Sequence, residues 1–212
     1  MYKFLIVISS LFLLHVGNSF SQSFEGSITF KRITFKDTTD YIYSVKGDMV
    51  RIDEKNKKGR IQGTMLVDTK NKKITTVSHD RKVFMSVETK PASLDMSKTE
   101  VDKTKETKEI LGLKCEKWIA KNTEQNTIAE FWVHKGNYDF FLPLLGVLNR
   151  KDKISLLYQK IPDANGYFSL YGEERSVDGS LKEQLQVVKV EKKKMPDTSF
   201  KIPAGYTKFE TK

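Results

Sequence analysis

Three histidines, one cysteine and a scatter of carboxylates are the groups in this 212-residue chain that could do chemistry. Their spacing gathers none of them into a site. His15 falls inside an apolar N-terminal run. His79 sits in a turn, His79-Asp80-Arg81, and reads as solvated. His134 ends a strand two residues beyond Trp132 and could line a pocket, but a lone histidine makes neither a nucleophile relay nor a metal centre. Cys115 lies in the strand pattern Leu113-Lys114-Cys115-Glu116-Lys117-Trp118 and reads as a small buried hydrophobe; one cysteine forms no internal disulfide. Asp163-Ala164-Asn165-Gly166 opens like a calcium loop but lacks the later acidic ligand, so it reads as a turn. There is no glycine-rich phosphate loop and no Gly-x-Ser-x-Gly elbow. No carboxylate pair is singled out by an apolar setting, although a glycosidase pair can lie far apart in sequence. The reading is a non-enzyme with no catalytic residue, no metal site and no cofactor.

The residues most in need of an explanation are apolar. Tyr138–Ile161 packs Phe140, Phe141, Leu142, Leu144, Leu145, Val147 and Leu148 into one short run. Burying each such side chain is worth roughly 1.5–3 kcal/mol, so the run must lie against something. Pro143 and Gly146 weaken a continuous helix. The pattern predicts a short helix near Tyr138–Leu148 and a second over Asp152–Lys160, where Ile154, Leu157, Tyr158 and Ile161 recur at helical spacing.

The rest of the chain has the period of a strand. In the first half six short strands are expected, over Phe24–Lys31, Tyr41–Val45, Met49–Glu54, Arg60–Thr69, Ile74–His79 and Val83–Val87, joined by polar turns into an antiparallel meander. A parity change after Arg32 suggests a bulge there. Thr89–Lys108 breaks the rhythm and reads as a long loop or a short helix around Ser93–Asp102. Strands resume at Leu113–Lys121 and Thr127–His134, the latter apolar on both faces apart from Glu130, and close with Tyr167–Glu174 and Leu181–Lys192. Met195–Tyr206 reads as an extended tail tacked down by Phe200, Ile202 and Tyr206. The fold class is therefore mostly β: a curved antiparallel sheet, an unclosed half-barrel of about 10–11 strands, with a helical lid insert at about 138–161.

Met1-Tyr2-Lys3, the apolar run Phe4–Val16, and Ser19 and Ser21 placed for cleavage before Gln22 make residues 1–21 a signal peptide. The apolar run is too short for a transmembrane span. No cysteine follows the cleavage site closely, so no lipid anchor is expected, and residues 22–212 form one exported domain, periplasmic or secreted. The formal charge of +10 falls to +9 when Lys3 is removed. The lysines are dispersed over turns and outer strand faces, which is solvation rather than a nucleic-acid footprint.

Several pieces together resemble an exported bacterial family of Bacteroidota type, domain of unknown function 4412. They are Phe24-Glu25-Gly26-Ser27-Ile28, Val45-Lys46-Gly47-Asp48-Met49-Val50-Arg51, Lys108-Glu109-Ile110-Leu111-Gly112-Leu113-Lys114-Cys115, Glu130-Phe131-Trp132 and Phe200-Lys201-Ile202-Pro203-Ala204-Gly205-Tyr206. The resemblance implies a fold similar to the LolA/LolB-type periplasmic lipoprotein carriers, in which helices cover a hydrophobic cavity in an unclosed barrel. It carries over no catalytic residue. Two functions are then open. In one, the lid encloses a hydrophobic ligand or the acyl chain of a lipidated protein, and Trp132, His134, Tyr138, Phe140, Phe141, Leu144, Leu145 and Leu148 line the cavity. In the other, the same residues plug the half-barrel, and the protein is a structural or interaction partner in the envelope.

Overall fold

Alternating apolar and polar residues build the sheet strand by strand. The computed structural model describes residues 23–89 and 94–210, so the segment assigned to the signal peptide lies outside the described residues. The strands are β1 (Gly26–Thr34), β2 (Thr38–Lys46), β3 (Met49–Lys55), β4 (Ile61–Asp68), β5 (Lys73–Ser78), β6 (Val83–Val87), β7 (Glu100–Ile110), β8 (Leu113–Asn122), β9 (Thr127–Lys135), β10 (Tyr167–Arg175), β11 (Leu181–Lys192) and β12 (Thr207–Lys208). Helices α1 (Phe141–Leu148) and α2 (Lys153–Tyr158) stand between β9 and β10. All twelve strands belong to one sheet in the order β12-β6-β5-β4-β3-β2-β1-β11-β10-β9-β8-β7. The two edges, β12 and β7, do not meet, so the half-barrel is unclosed. Every pairing is antiparallel except the two-residue junction of β12 with β6.

The β1–β11 pairing closes the two arms into one sheet, and its bulge falls at Thr29/Phe30, earlier than the parity change suggested. A larger difference is β7. Nine residues of the segment expected to be loop or helix, Glu100–Lys108, belong to an eleven-residue strand that pairs with β8 from Glu100 to Ile110. The segment hides because it is an edge. Only Val101, Thr104 and Ile110 are half-buried, so there is no apolar alternation to read, and its lysines and glutamates are the charges that keep an open edge from pairing with other chains. Just before it, Met96 turns inward to the core at 3% exposure.

The core lies between the inner face of the sheet and the two helices. Pro143 occupies the first turn of α1, where an amide N–H has no intrahelical acceptor to lose, and it and Gly146 face solvent. Of the six other apolar residues, Phe141, Leu144, Leu145, Val147 and Leu148 are buried and Leu142 is half-buried. Asn149 ends α1 in the left-handed conformation at φ 45°, and Asp152 caps α2 by accepting from the Ser155 amide at 3.0 Å. The predicted face of α2 is buried in full: Ile154, Leu157, Tyr158 and Ile161. Gly172 on β10 lets α2 come this close, since a Cβ there would sit 3.3 Å from both Ile154 Cδ1 and Phe131 Cδ1.

Antiparallel order sends the turns alternately to two ends of the sheet. The turns β1–β2, β3–β4, β5–β6, β8–β9 and β10–β11 share one end, called distal here; β2–β3, β4–β5 and β7–β8 share the other. The α1–α2 turn lies at the distal end, where Lys153 Nζ donates to the Gln125 carbonyl in the β8–β9 turn.

Candidate functional site

The seam between the helices and the sheet is where the core stays open. Phe30, Tyr43, Phe131, Phe168, Leu185 and Val187 form its floor; Phe141, Leu145 and Leu148 of α1 and Ile154 and Tyr158 of α2 form its roof. The cleft is mainly apolar and holds about 50 Å³. That is room for one or two waters, against roughly 300–1,000 Å³ for a small-molecule site. Rings fill the rest: Phe141 lies 4.4 Å from Phe168 and 5.0 Å from Tyr158 between centroids, and Tyr158 lies 5.2 Å from Phe131.

The mouth of the cleft is charged. Arg32 donates from Nε to Glu183 Oε1 at 2.6 Å and from Nη2 to Oε2 at 2.9 Å, a fork-to-fork pair that holds the guanidinium firmly charged. Asp152 is spent on capping α2. Arg150 completes the mouth and, among the described residues, makes no salt bridge. Next to Arg32 and Glu183 lies a second buried carboxylate, Glu174, the cross-strand partner of Glu183. Burial, and then the nearby Glu183 charge, push the Glu174 carboxyl above its ordinary range, while Thr127 Oγ1 donates to it at 3.1 Å and pulls the other way. Two buried carboxylates facing each other across neighbouring strands resemble an acid–base pair. Both oxygens of Glu183 are taken by Arg32, however, and Glu174 does not line the cleft, so neither is presented to a substrate. Burial also raises the Tyr158 hydroxyl, which is buried without a partner among the described residues.

The residues proposed from sequence to line a cavity divide into three sets. Phe141, Leu145 and Leu148 lie on the cleft. Tyr138, Phe140 and Leu144 are buried near it in the main cluster, Tyr138 5.0 Å from Phe24 and 5.3 Å from Phe168. Phe140 also borders a wider polar groove of about 450 Å³ at the opposite end, lined by Ser23, Asp48, Lys70 and Asp139. Trp132 and His134 have the other parity on β9. Trp132 is half-buried on the outer face with Lys108 Nζ 3.9 Å above its ring, and His134 bonds the Lys114 carbonyl through Nδ1 at 2.9 Å. The mouth residues Arg32, Arg150 and Glu183, and Glu174 behind them, were not singled out by sequence. A signal existed, because Glu174 and Glu183 occupy the apolar parity of their strands, beside Phe168, Leu170 and Gly172 on one and Leu185 and Val187 on the other.

His79 is not a solvated turn residue. Thr64 Oγ1 lies 2.7 Å from its Nε2 and Tyr206 Oη 2.9 Å from its Nδ1. Thr64 donates in turn to Asp53, which Arg51 Nε grips at 2.9 and 2.8 Å. This network belongs to the outer face and to the C-terminal segment that crosses it.

A family model for a domain of unknown function, DUF4412, matches residues 24–206. The chain belongs to that family. The match takes in every strand from β1 to β11, both helices and the C-terminal crossing. No curated protein matches the chain. Among solved structures, this DUF4412 chain is similar to an uncharacterised conserved protein from Thermus thermophilus, at 7% identity and TM-score 0.57, covering 90% of this chain and 93% of that one. The likeness shows a shared fold. A PNGF-II structure aligns with a TM-score of 0.46 and 14% identity over 89% of this chain, which spans 32% of that longer one. A DUF1329 family protein from Desulfovibrio piger aligns with a TM-score of 0.38 and 9% identity, covering 85% and 91% of the two chains. Among the described residues no helix is long and apolar enough to cross a membrane.

Proposed function

We propose that this DUF4412 protein is an exported, non-catalytic binding protein of the cell envelope. It takes the end of an apolar chain, an acyl group that is free or carried by a lipidated protein, beneath α1 and α2. One observation supports this reading above the others. The seam between lid and sheet is an apolar cleft that opens to solvent at a mouth where Arg150 makes no salt bridge among the described residues. The closed cleft accepts the tip of a chain, so a longer guest requires the lid to lift. α1 suits that motion: its N-terminus has no side-chain cap, and its buried side chains are all apolar. Export is supported by the N-terminal pattern alone, and sequencing of the processed protein should find Gln22 first.

The second reading, a filled core in a structural or interaction protein, draws on the same cleft volume and on the complete burial of Leu144 and Leu157. Native mass spectrometry of protein taken from the envelope fraction, with lipid extraction in parallel, separates the two. Binding predicts a co-purifying acyl species and displacement of a fluorescent fatty-acid probe by it. Protein that carries no lipid and gives no gain in probe fluorescence leaves the filled core standing.

A further inference from the structure

The distal end, which carries the mouth of the cleft, also carries large apolar side chains left in solvent. Phe35 at the β1–β2 turn is 85% exposed, and Ile61, Val177 and Leu181 are 38–47% exposed. Among the described residues the opposite end shows one, Leu111, at 50%. The distal turns are stitched into a single surface. Lys57 Nζ lies 3.7 Å from Asp37, joining the β3–β4 and β1–β2 turns, and the Val177 amide donates to Asn126 Oδ1 at 2.9 Å, joining β10–β11 to β8–β9. Thr34, beside Phe35, is paired with Glu183, two residues from Leu181.

Around these side chains stand exposed cations. Lys36, Lys58, Arg60, Lys151 and Lys182 make no salt bridge among the described residues, and Lys36 Nζ lies 5.3 Å from the Phe35 ring centroid. The neighbouring acids are engaged: Asp37 with Lys57, and Asp178 with Ser176 Oγ at 2.6 Å and the Ser180 amide at 2.9 Å. Apolar tips set singly among cations do not form the continuous apolar centre of a protein interface. Nor do isolated Phe, Leu and Val tips serve a polyanion such as nucleic acid, which asks for cations alone. They do match the lipid headgroup layer, where an aromatic or leucine side chain enters the acyl boundary and lysine stems reach out to phosphate.

We propose that the distal end docks on an anionic lipid bilayer, with Phe35 and Leu181 entering the headgroup region and Lys36, Lys151 and Lys182 lying against the phosphates. The docking stands apart from any cargo, since a chain with a filled core presents the same tips. Where a cargo is taken, docking turns the mouth of the cleft toward the lipid.

Co-sedimentation of the purified protein tests it, with vesicles of phosphatidylethanolamine and phosphatidylglycerol against vesicles of phosphatidylcholine alone. Binding is expected to the anionic vesicles and to fall with added salt. Phe35→Ser should weaken it about tenfold, and Lys36→Gln or Lys182→Gln about fivefold each. Because Phe35 stands in solvent, Phe35→Ser should melt with the parent protein. Leu111→Ser, at the opposite end, should bind as the parent does. The proposal is overturned if the parent ignores anionic vesicles, if Phe35→Ser binds undiminished, or if Leu111→Ser loses as much as Phe35→Ser.

Discussion

The two faces of the sheet are covered by different means. On the inner face α1 and α2 contribute apolar side chains, and the buried side chains of α1 are all apolar. On the outer face the C-terminal segment is held by polar bonds. Arg51 Nη1 donates to the Ser199 carbonyl at 3.1 Å, His79 meets Tyr206, Lys46 pairs with Asp197, and the Thr207 and Phe209 amides bond the Lys82 and Phe84 carbonyls. Its own apolar residues do little of this: Phe200 and Tyr206 are half-buried, and Ile202 is exposed. On that side, among the described residues, Leu66 and Val77 are the buried apolar side chains outside the main cluster. A cover held by packing is non-directional and depends on keeping water out everywhere. A cover held by hydrogen bonds depends on a few partners and can be released one bond at a time.

The sharpest way to break the contrast is to charge the inner cover. Leu157 is wholly buried, and Leu157→Asp leaves a carboxylate with no cation to meet it, at a cost of several kcal/mol or more. The expected result is loss of the cooperative thermal transition. Leu145→Asp lies on the cleft and can turn toward the Arg150 mouth, so it should be milder and leave a measurable melt. If both variants melt like the parent, the helices are not part of the core, and a lid standing free of the sheet replaces the present account.

The outer cover should yield in smaller steps. Asp53→Ala strands the Arg51 guanidinium and removes the acceptor of the buried Thr64 hydroxyl; about 2–4 kcal/mol is expected, with the fold retained. Tyr206→Phe removes one bond to His79 and should cost about 1 kcal/mol. In both variants amide exchange at Thr207 and Phe209 should quicken while exchange in β9 and β10 stays slow. Equal acceleration on both faces would show the two covers to be one cooperative unit.

How far each face could be read in the sequence follows the same division. Packing writes a period, so ten of the strands and both helices were legible from apolar spacing, and the burial of Leu144, Leu157 and Tyr158 followed. Polar anchoring writes none. His79, Thr64, Asp53 and Tyr206 lie on β4, β3, one turn and the C-terminal segment, and nothing local in any of them announces the others. The edge strand β7 went unread for a related reason: with one partner strand and only Val101 and Ile110 packed against the core, its Lys-Thr-Glu run carries no alternation. Trp132 misled because an aromatic inside the two-sided run Ile128–His134 looks like cavity lining, yet strand parity turns it outward under Lys108. Arg32 and Arg150 were passed over because a lone arginine in sequence does not say that it stands at the rim of an apolar cleft.

One inner carboxylate departs from the rule of its face without an ion pair to balance it. Glu174 is a buried carboxylate that makes no salt bridge among the described residues and relies on Thr127 alone. Burial raises its folded-state pKa above the unfolded value. The sign follows from that direction. Whatever Glu174 adds to stability is complete at pH below the unfolded carboxylate range and is lost as pH rises through the raised folded value, so at neutral pH the group costs stability. Glu174→Gln keeps an acceptor for the Thr127 hydroxyl and removes the charge. It should raise the melting temperature at neutral pH, by a gain under about 1 kcal/mol, and leave it unchanged at about pH 3, below the unfolded carboxylate range. A variant that is destabilised at neutral pH would show that the Glu174 charge is compensated by the nearby Lys153 ammonium, and that the inner face too depends in part on polar anchoring.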